Sequence, residues 1–260
     1  MTDLPLFYQR VVPLNRESHR DLRLAQPFDF GFARTAHIIP AVVDEFAAAC
    51  RHLPILFLSD GSLPTPVFIV GFRPDHSLLV NETGAWKGRY LPAYLRRYPF
   101  IVGQIADADP IVCLDEAADG LDTAGETQNG LPLFGPGGDD TPLLTERVEL
   151  ARSYADAAKR SAAFGQTLHE LNLLRPVTIQ GRDAATGETY TLNGALGIDE
   201  AALAELPDAA FARLRHEGWL AAVYAHLVSL QTISDFTATY AVNAAAGMDA
   251  NDGETAPQVH

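Results

Sequence analysis

Cysteine is nearly missing from this chain: Cys50 and Cys113 are the only two in 260 residues, too few for a disulfide framework. One falls in a stretch of helical character and the other in a stretch of strand character, so both are expected to be reduced core residues. Positive charge is scarce as well. Nineteen Lys and Arg stand against 33 Asp and Glu, a formal net charge of −14, which repels phosphate backbones and argues against nucleic acid as a partner. No apolar run approaches the roughly 18 residues that a membrane-crossing helix needs. Residues Met1 to Arg10 show neither a basic segment leading into a long apolar one nor a small-residue cleavage site, so a cytoplasmic location without membrane insertion is expected.

Motifs that would fix a chemistry are also lacking. The chain has no His-x-x-x-His or Cys-x-x-Cys pair, so a metal centre would have to be assembled from distant segments. His19 and His37 with Asp44 or Glu45 are the candidate set, because two histidines and a carboxylate suit iron, with zinc the other choice. The favoured expectation is separate histidines with local partners and no cofactor. Phosphate-cradling glycine loops are absent, and Ser59-Asp-Gly-Ser62 lacks the Gly-x-Ser-x-Gly elbow of a nucleophile and reads as a turn. No catalytic motif is found, which leaves open whether the chain is an enzyme.

Hydrophobic residues are plentiful, at 47% of the chain, enough to bury a core without staples. Ile55–Leu58 and Val67–Val70 are continuous apolar runs that read as strands buried on both faces, and Ile101-Val102 and Ile111–Leu114 as two more. Weaker strands are expected over 5–12, 21–24 and 78–80, and a helix from His37 to His52. Thr141-Pro142 opens a long helix, with the threonine capping and the proline at its first position, and Leu144, Val148, Ala151, Ala158, Ala162 and Leu168 mark its buried stripe. A hairpin follows around Gly181 to Gly187, then a helix started by Asp199 and helical residues from Asp208 to Phe236 broken near Gly218. The order predicts an α+β fold, a mixed sheet in the first half with helices packed on it and a second half mainly helical with one hairpin. Residues 1–114 would form the sheet region, 115–140 an acidic glycine-rich loop, 141–240 the helical region of the same domain, and 241–260 a disordered tail. Leu133 and Phe134 are expected to anchor the acidic loop as a salt-sensitive cover.

The stretch Trp86-Lys-Gly-Arg-Tyr-Leu-Pro-Ala-Tyr-Leu-Arg-Arg-Tyr-Pro-Phe100 stands out, crowding four cations and five aromatic residues together in an acidic protein. Planar rings, fixed donors and permanent charge suit capture of an anion, a carboxylate or a peptide terminus. Trp86, Arg89, Tyr90, Tyr94, Arg96, Arg97 and Tyr98 are the candidate ligand-binding residues. The competing account puts Tyr90, Tyr94 and Tyr98 on one helical stripe against the core, with the arginines facing water or the acidic loop.

This run, together with Gly218-Trp-Leu-Ala-Ala-Val-Tyr-Ala-His-Leu-Val-Ser-Leu230, Glu45 and Pro54-Ile-Leu-Phe57, resembles the bacterial SapC family, over about Phe7 to Phe236. The family is named for a surface-layer locus, and its genes often lie near tryptophan halogenases, cupin-like oxygenases and TonB-dependent receptors. The resemblance implies a binding or accessory protein for a peptide, an amino-acid-derived compound or an anionic small molecule, and carries no catalytic residue with it. Two alternatives stand beside this: a metal-dependent oxygenase-like enzyme or hydrolase, and a surface-layer structural or assembly protein. In the latter, Trp219, Val223, Leu227 and Leu230 would form a homodimer face.

Overall fold

The structure, a computed structural model, describes residues 4–26, 28–59, 63–103, 109–122, 130–182 and 187–234. Strands β1 (Val11–Pro13), β2 (Arg23–Ala25) and β3 (Ile38–Pro40) come first, then a 3-10 turn at Val43–Glu45 and one turn of helix, α1 (Phe46–Ala49). The apolar runs give β4 (Ile55–Leu58) and β5 (Thr65–Ile69). They are followed by α2 (Ala93–Arg97), β6 (Phe100–Gly103), β7 (Ile111–Asp115), β8 (Leu121–Asp122) and β9 (Gly130–Pro132). The long helix α3 (Pro142–Glu170) leads into the hairpin β10 (Leu174–Arg182) and β11 (Thr189–Ile198), and α4 (Glu200–Ala204), α5 (Asp208–His216) and α6 (Leu220–Ser229) close the sequence of elements. Among the described residues no helix is long and apolar enough to cross a membrane.

The class is α+β. Three sheets, ordered β10-β11-β4-β5-β3, β1-β7-β6 and β8-β2-β9, carry antiparallel pairings between their described neighbours. The C-terminal hairpin thus completes a sheet begun by β4 and β5, through Ala195 opposite Leu58 and Leu196 opposite Phe57. Ile55, Leu56 and Phe57 in β4, and Phe68 and Ile69 in β5, are fully buried, as runs without polar alternation require.

Helix α3 lies across the core. Thr141 caps it by accepting the Leu144 amide through Oγ1 at 3.3 Å, with proline at the first position. Its buried stripe is Leu144, Ala151, Tyr154, Ala157, Ser161, Phe164 and Leu168, whereas Ala158 and Ala162 face water. The expected register drifted because alanines on both faces give periodicity nothing to choose between. Gly165 permits a close approach of the helix to the chain before β5: a Cβ there would sit 2.1 Å from the Pro64 carbonyl oxygen.

Several expectations are revised. Helix does not begin at His37; Ile38 and Ile39 pair with Ile69 and Phe68, since the proline at 40 presses its predecessor into extended backbone. The strand expected from residue 5 starts only at Val11, because Pro5 to Tyr8 form a turn. The stretch 115–140 contains β8 and β9, both paired with β2, and Leu133 and Phe134 are core residues at 0% and 4% exposure. Two of its carboxylates pair elsewhere than with the basic stretch, Glu116 with Arg10 and His19, and Asp140 with Arg16. The central residues 123–129 of the expected cover, residues 60–62 of the expected turn and the expected tail at 241–260 lie outside the described residues. Of the residues named for a homodimer face, Val223 is fully buried, and Trp219, Leu227 and Leu230 are half-buried against the hydrophobic clusters of the chain.

His226 ties α6 to the large sheet. It is fully buried, its Nε2 accepts the Ile198 amide at 3.0 Å, and burial pushes its pKa down from 6.5 to about 4. The unfolded chain therefore takes up a proton that the folded chain refuses, so stability is full above pH 6.5 and falls as pH drops toward 4. The loss should reach about 3 kcal/mol at 1.36 kcal/mol per unit. Urea unfolding at pH 7 and pH 4.5 measures it, and His226→Gln should flatten that part of the pH profile.

Candidate functional site

Glu45 is the point on which the basic-aromatic stretch hangs. It ends the 3-10 turn, is 5% exposed, and accepts the Tyr90 hydroxyl at 2.7 Å and the Ala93 amide at 2.6 Å through Oε1, and the Val42 amide at 3.4 Å through Oε2. Arg96 stands 3.9 Å away. Burial raises the Glu45 pKa against the pull of these donors. The carboxylate thus fixes where α2 starts, and Trp86 braces the same corner by donating Nε1–H to the Tyr90 carbonyl at 3.0 Å. Arg96 turns its Nε back to the Leu91 carbonyl at 3.1 Å, while Arg147 of α3 donates to the Arg96 carbonyl at 2.9 Å.

Arg97 points the other way, inward. It is 5% exposed, and its guanidinium lies 4.1 Å from the Tyr154 ring centroid, 4.5 Å from that of Tyr94 and 5.6 Å from that of Tyr8. Ring faces attract a cation, yet among the described residues Arg97 makes no ion pair and its buried Nε has no hydrogen-bond partner. The buried Nε of Arg147 is likewise without one. Burying an unpaired cation costs several kcal/mol by general estimates, more than ring contacts of roughly 0.5–2 kcal/mol each readily offset. Three guanidinium groups, Arg96, Arg97 and Arg147, gather around α2 with Glu45 as the carboxylate at hand.

The surrounding hydroxyls stay protonated. Burial raises the pKa of Tyr8, Tyr94 and Tyr154, opposed by Arg97, and raises those of Tyr90 and Tyr98, with Glu45 and Asp115 respectively adding to the effect. Asp115, fully buried, accepts the amides of Gln9 at 2.9 Å, Arg10 at 2.7 Å and Ala117 at 3.1 Å, and the Tyr98 hydroxyl at 3.3 Å. Half-buried phenylalanines border the cluster: Phe32 lies 4.3 Å from the Tyr98 ring, and Phe7 lies 5.1 Å from Phe32 and 6.1 Å from Tyr94.

Of the residues the sequence singled out, Tyr90, Tyr94, Arg96, Arg97 and Tyr98 form one connected region with Trp86 at its edge, and Arg89 is exposed. Of the stripe account the inward packing is seen, with Tyr94 and Tyr98 buried and Tyr90 half-buried, but no helical stripe forms because helix spans only Ala93–Arg97; for Arg97 the account fails, since that side chain is buried among rings. Tyr8, Tyr154 and Arg147 were missed, because they come from the opening segment and from α3, and no spacing in the sequence links them to Arg97.

The metal set does not assemble. His19 accepts the Asn15 amide through Nδ1 at 3.0 Å and meets Glu116 through Nε2 at 3.1 Å, whereas Glu45 is committed to Tyr90 and Ala93. His37 lies by Asp75, and partial burial lowers its pKa. Among the described residues no group of three His, Cys, Asp or Glu could hold a metal ion.

A family model described as SapC matches residues 14–236 of the chain. No curated protein matches it and no solved structure matches it.

Proposed function

From the premise that the chain belongs to the SapC family, we propose that it is a cytoplasmic binding or accessory protein whose ligand is an amino-acid-derived or peptide carboxylate received at Arg97. One observation carries the reading: a buried guanidinium walled by Tyr8, Tyr94 and Tyr154 that has, among the described residues, no partner for its Nε and no ion pair. A carboxylate is the group whose geometry matches a guanidinium's paired donors, and the bordering phenylalanines suit an apolar or aromatic side chain on the same molecule. Arg96 and Arg147 would make the locus positive inside an acidic protein, drawing anions to this face. A place beside a tryptophan halogenase, a cupin-like oxygenase or a TonB-dependent receptor belongs to the same proposal, as systems that handle such compounds.

Isothermal titration at low ionic strength with N-acetyl-L-phenylalanine and its amide tests it. The acid should bind and the amide should not, and Arg97→Met should remove the difference. Equal heats from acid and amide, or acid binding untouched by Arg97→Met, would sink the proposal.

A further inference from the structure

Arg97 is almost closed from solvent, so a ligand can reach it only if something moves, and of the three rings that enclose it Tyr94 and Tyr154 belong to α2 and α3 while Tyr8 belongs to the strap Leu4–Arg10. Tyr8 of the strap places its ring 5.6 Å from the guanidinium and donates its hydroxyl to the Phe100 carbonyl at 2.8 Å. Apart from the ion pair of Arg10 with Glu116, the other polar ties are made by strap backbone: the Leu6 carbonyl accepts from the Tyr94 hydroxyl at 2.8 Å, the Gln9 and Arg10 amides donate to Asp115, and the Arg10 carbonyl accepts the Glu116 amide at 2.9 Å. Such contacts read a peptide main chain and not a particular sequence.

The strap is also held uneasily. The Tyr8 amide bonds back to the Pro5 carbonyl at 3.0 Å, and Phe7, third residue of that turn, sits at φ 76°. Such a turn calls for glycine there, and a bulky residue in left-handed backbone is strained. Leu4 and Leu6 remain exposed, at 48% and 44%.

Resting on the carboxylate reading of Arg97, we infer that the strap occupies the ligand's place, and that the ligand is a peptide acid which displaces it, bringing to Arg97 the carboxylate the strap lacks. Amide hydrogen exchange on the full chain tests this, with the probe N-acetyl-Leu-Pro-Leu-Phe-Tyr bearing a free carboxyl group. Gln9 and Arg10 should exchange by local opening at least about tenfold faster than Phe57 and Phe68, and faster still with the probe. Phe7→Ala, losing two ring contacts, should raise that exchange and tighten probe binding by about tenfold each. Phe7→Gly, which relieves the strained φ, should raise exchange about fivefold less than Phe7→Ala does. Gln9 and Arg10 exchanging no faster than the sheet, or a probe that leaves their exchange unchanged, overturns the inference. The carboxylate reading fails separately, if N-acetyl-L-phenylalanine binds without regard to Arg97.

Discussion

Arg97→Met should make the protein more stable, by about 1–2 kcal/mol in urea unfolding, while abolishing its preference for carboxylates. Methionine fills a similar space among Tyr8, Tyr94 and Tyr154 without carrying an unpaired charge into the interior. Replacing buried charge by apolar volume is often stabilising by 1–4 kcal/mol, of which roughly half would be lost with the ring contacts. A residue kept for a ligand at the expense of stability behaves this way. Were Arg97 a structural cation held by its three rings, the same change would destabilise the fold, and the sign alone would separate the two accounts. Arg97→Lys should keep the charge but lose the paired donors, leaving weak binding that no longer distinguishes acid from amide by more than a small factor.

Glu45→Ala should cost about 4 kcal/mol, because it strands the Tyr90 hydroxyl and the Ala93 amide at roughly 1–3 kcal/mol each and opens a void beside them. Against a domain stability of about 5–15 kcal/mol, such a loss leaves little margin at 37 °C. Glu45→Gln retains an accepting oxygen and should cost far less. The pH dependence runs opposite to that of His226. Burial holds the Glu45 pKa above its unfolded value of 4.5, so its contribution is fullest below pH 4.5 and declines as pH rises through the folded value. Glu45→Gln should remove that decline. Urea midpoints of the three proteins at pH 4.5 and pH 7 measure both effects.

Local chemistry was legible wherever one short stretch decided the outcome. Ile55–Leu58 is β4 because an unbroken apolar run has no other burial to choose, Thr141-Pro142 opens α3 because its hydroxyl can cap, and Asp199 starts α4 by accepting the amides of Ala201 and Ala202. Gly218, at φ 81°, divides the last two helices where a side chain would be strained. What failed was anything that depended on distant partners. Ile38, Val42, Phe46 and Ala49 fit a helical stripe, yet the first of them is claimed by β5, and only the sheet reveals it. The basic-aromatic stretch was visible as a composition, whereas its sorting into an exposed Arg89, a folded-back Arg96 and a buried Arg97 is imposed by Glu45, Tyr8 and Tyr154. Glu45 drew notice as a metal ligand, and its actual office is to receive hydroxyl and amide donors.

The central claim is that Arg97 receives a carboxylate, and its orphaned Nε–H offers a direct reporter. In a nitrogen-15 correlation spectrum the Arg97 Nε–H signal can be identified by its absence in Arg97→Lys. Titration with N-acetyl-L-phenylalanine should move that signal downfield and saturate as a charge-assisted hydrogen bond forms, while the amide leaves it in place. A signal that stays fixed while another arginine's moves, or that shifts equally with acid and amide, would contradict the claim.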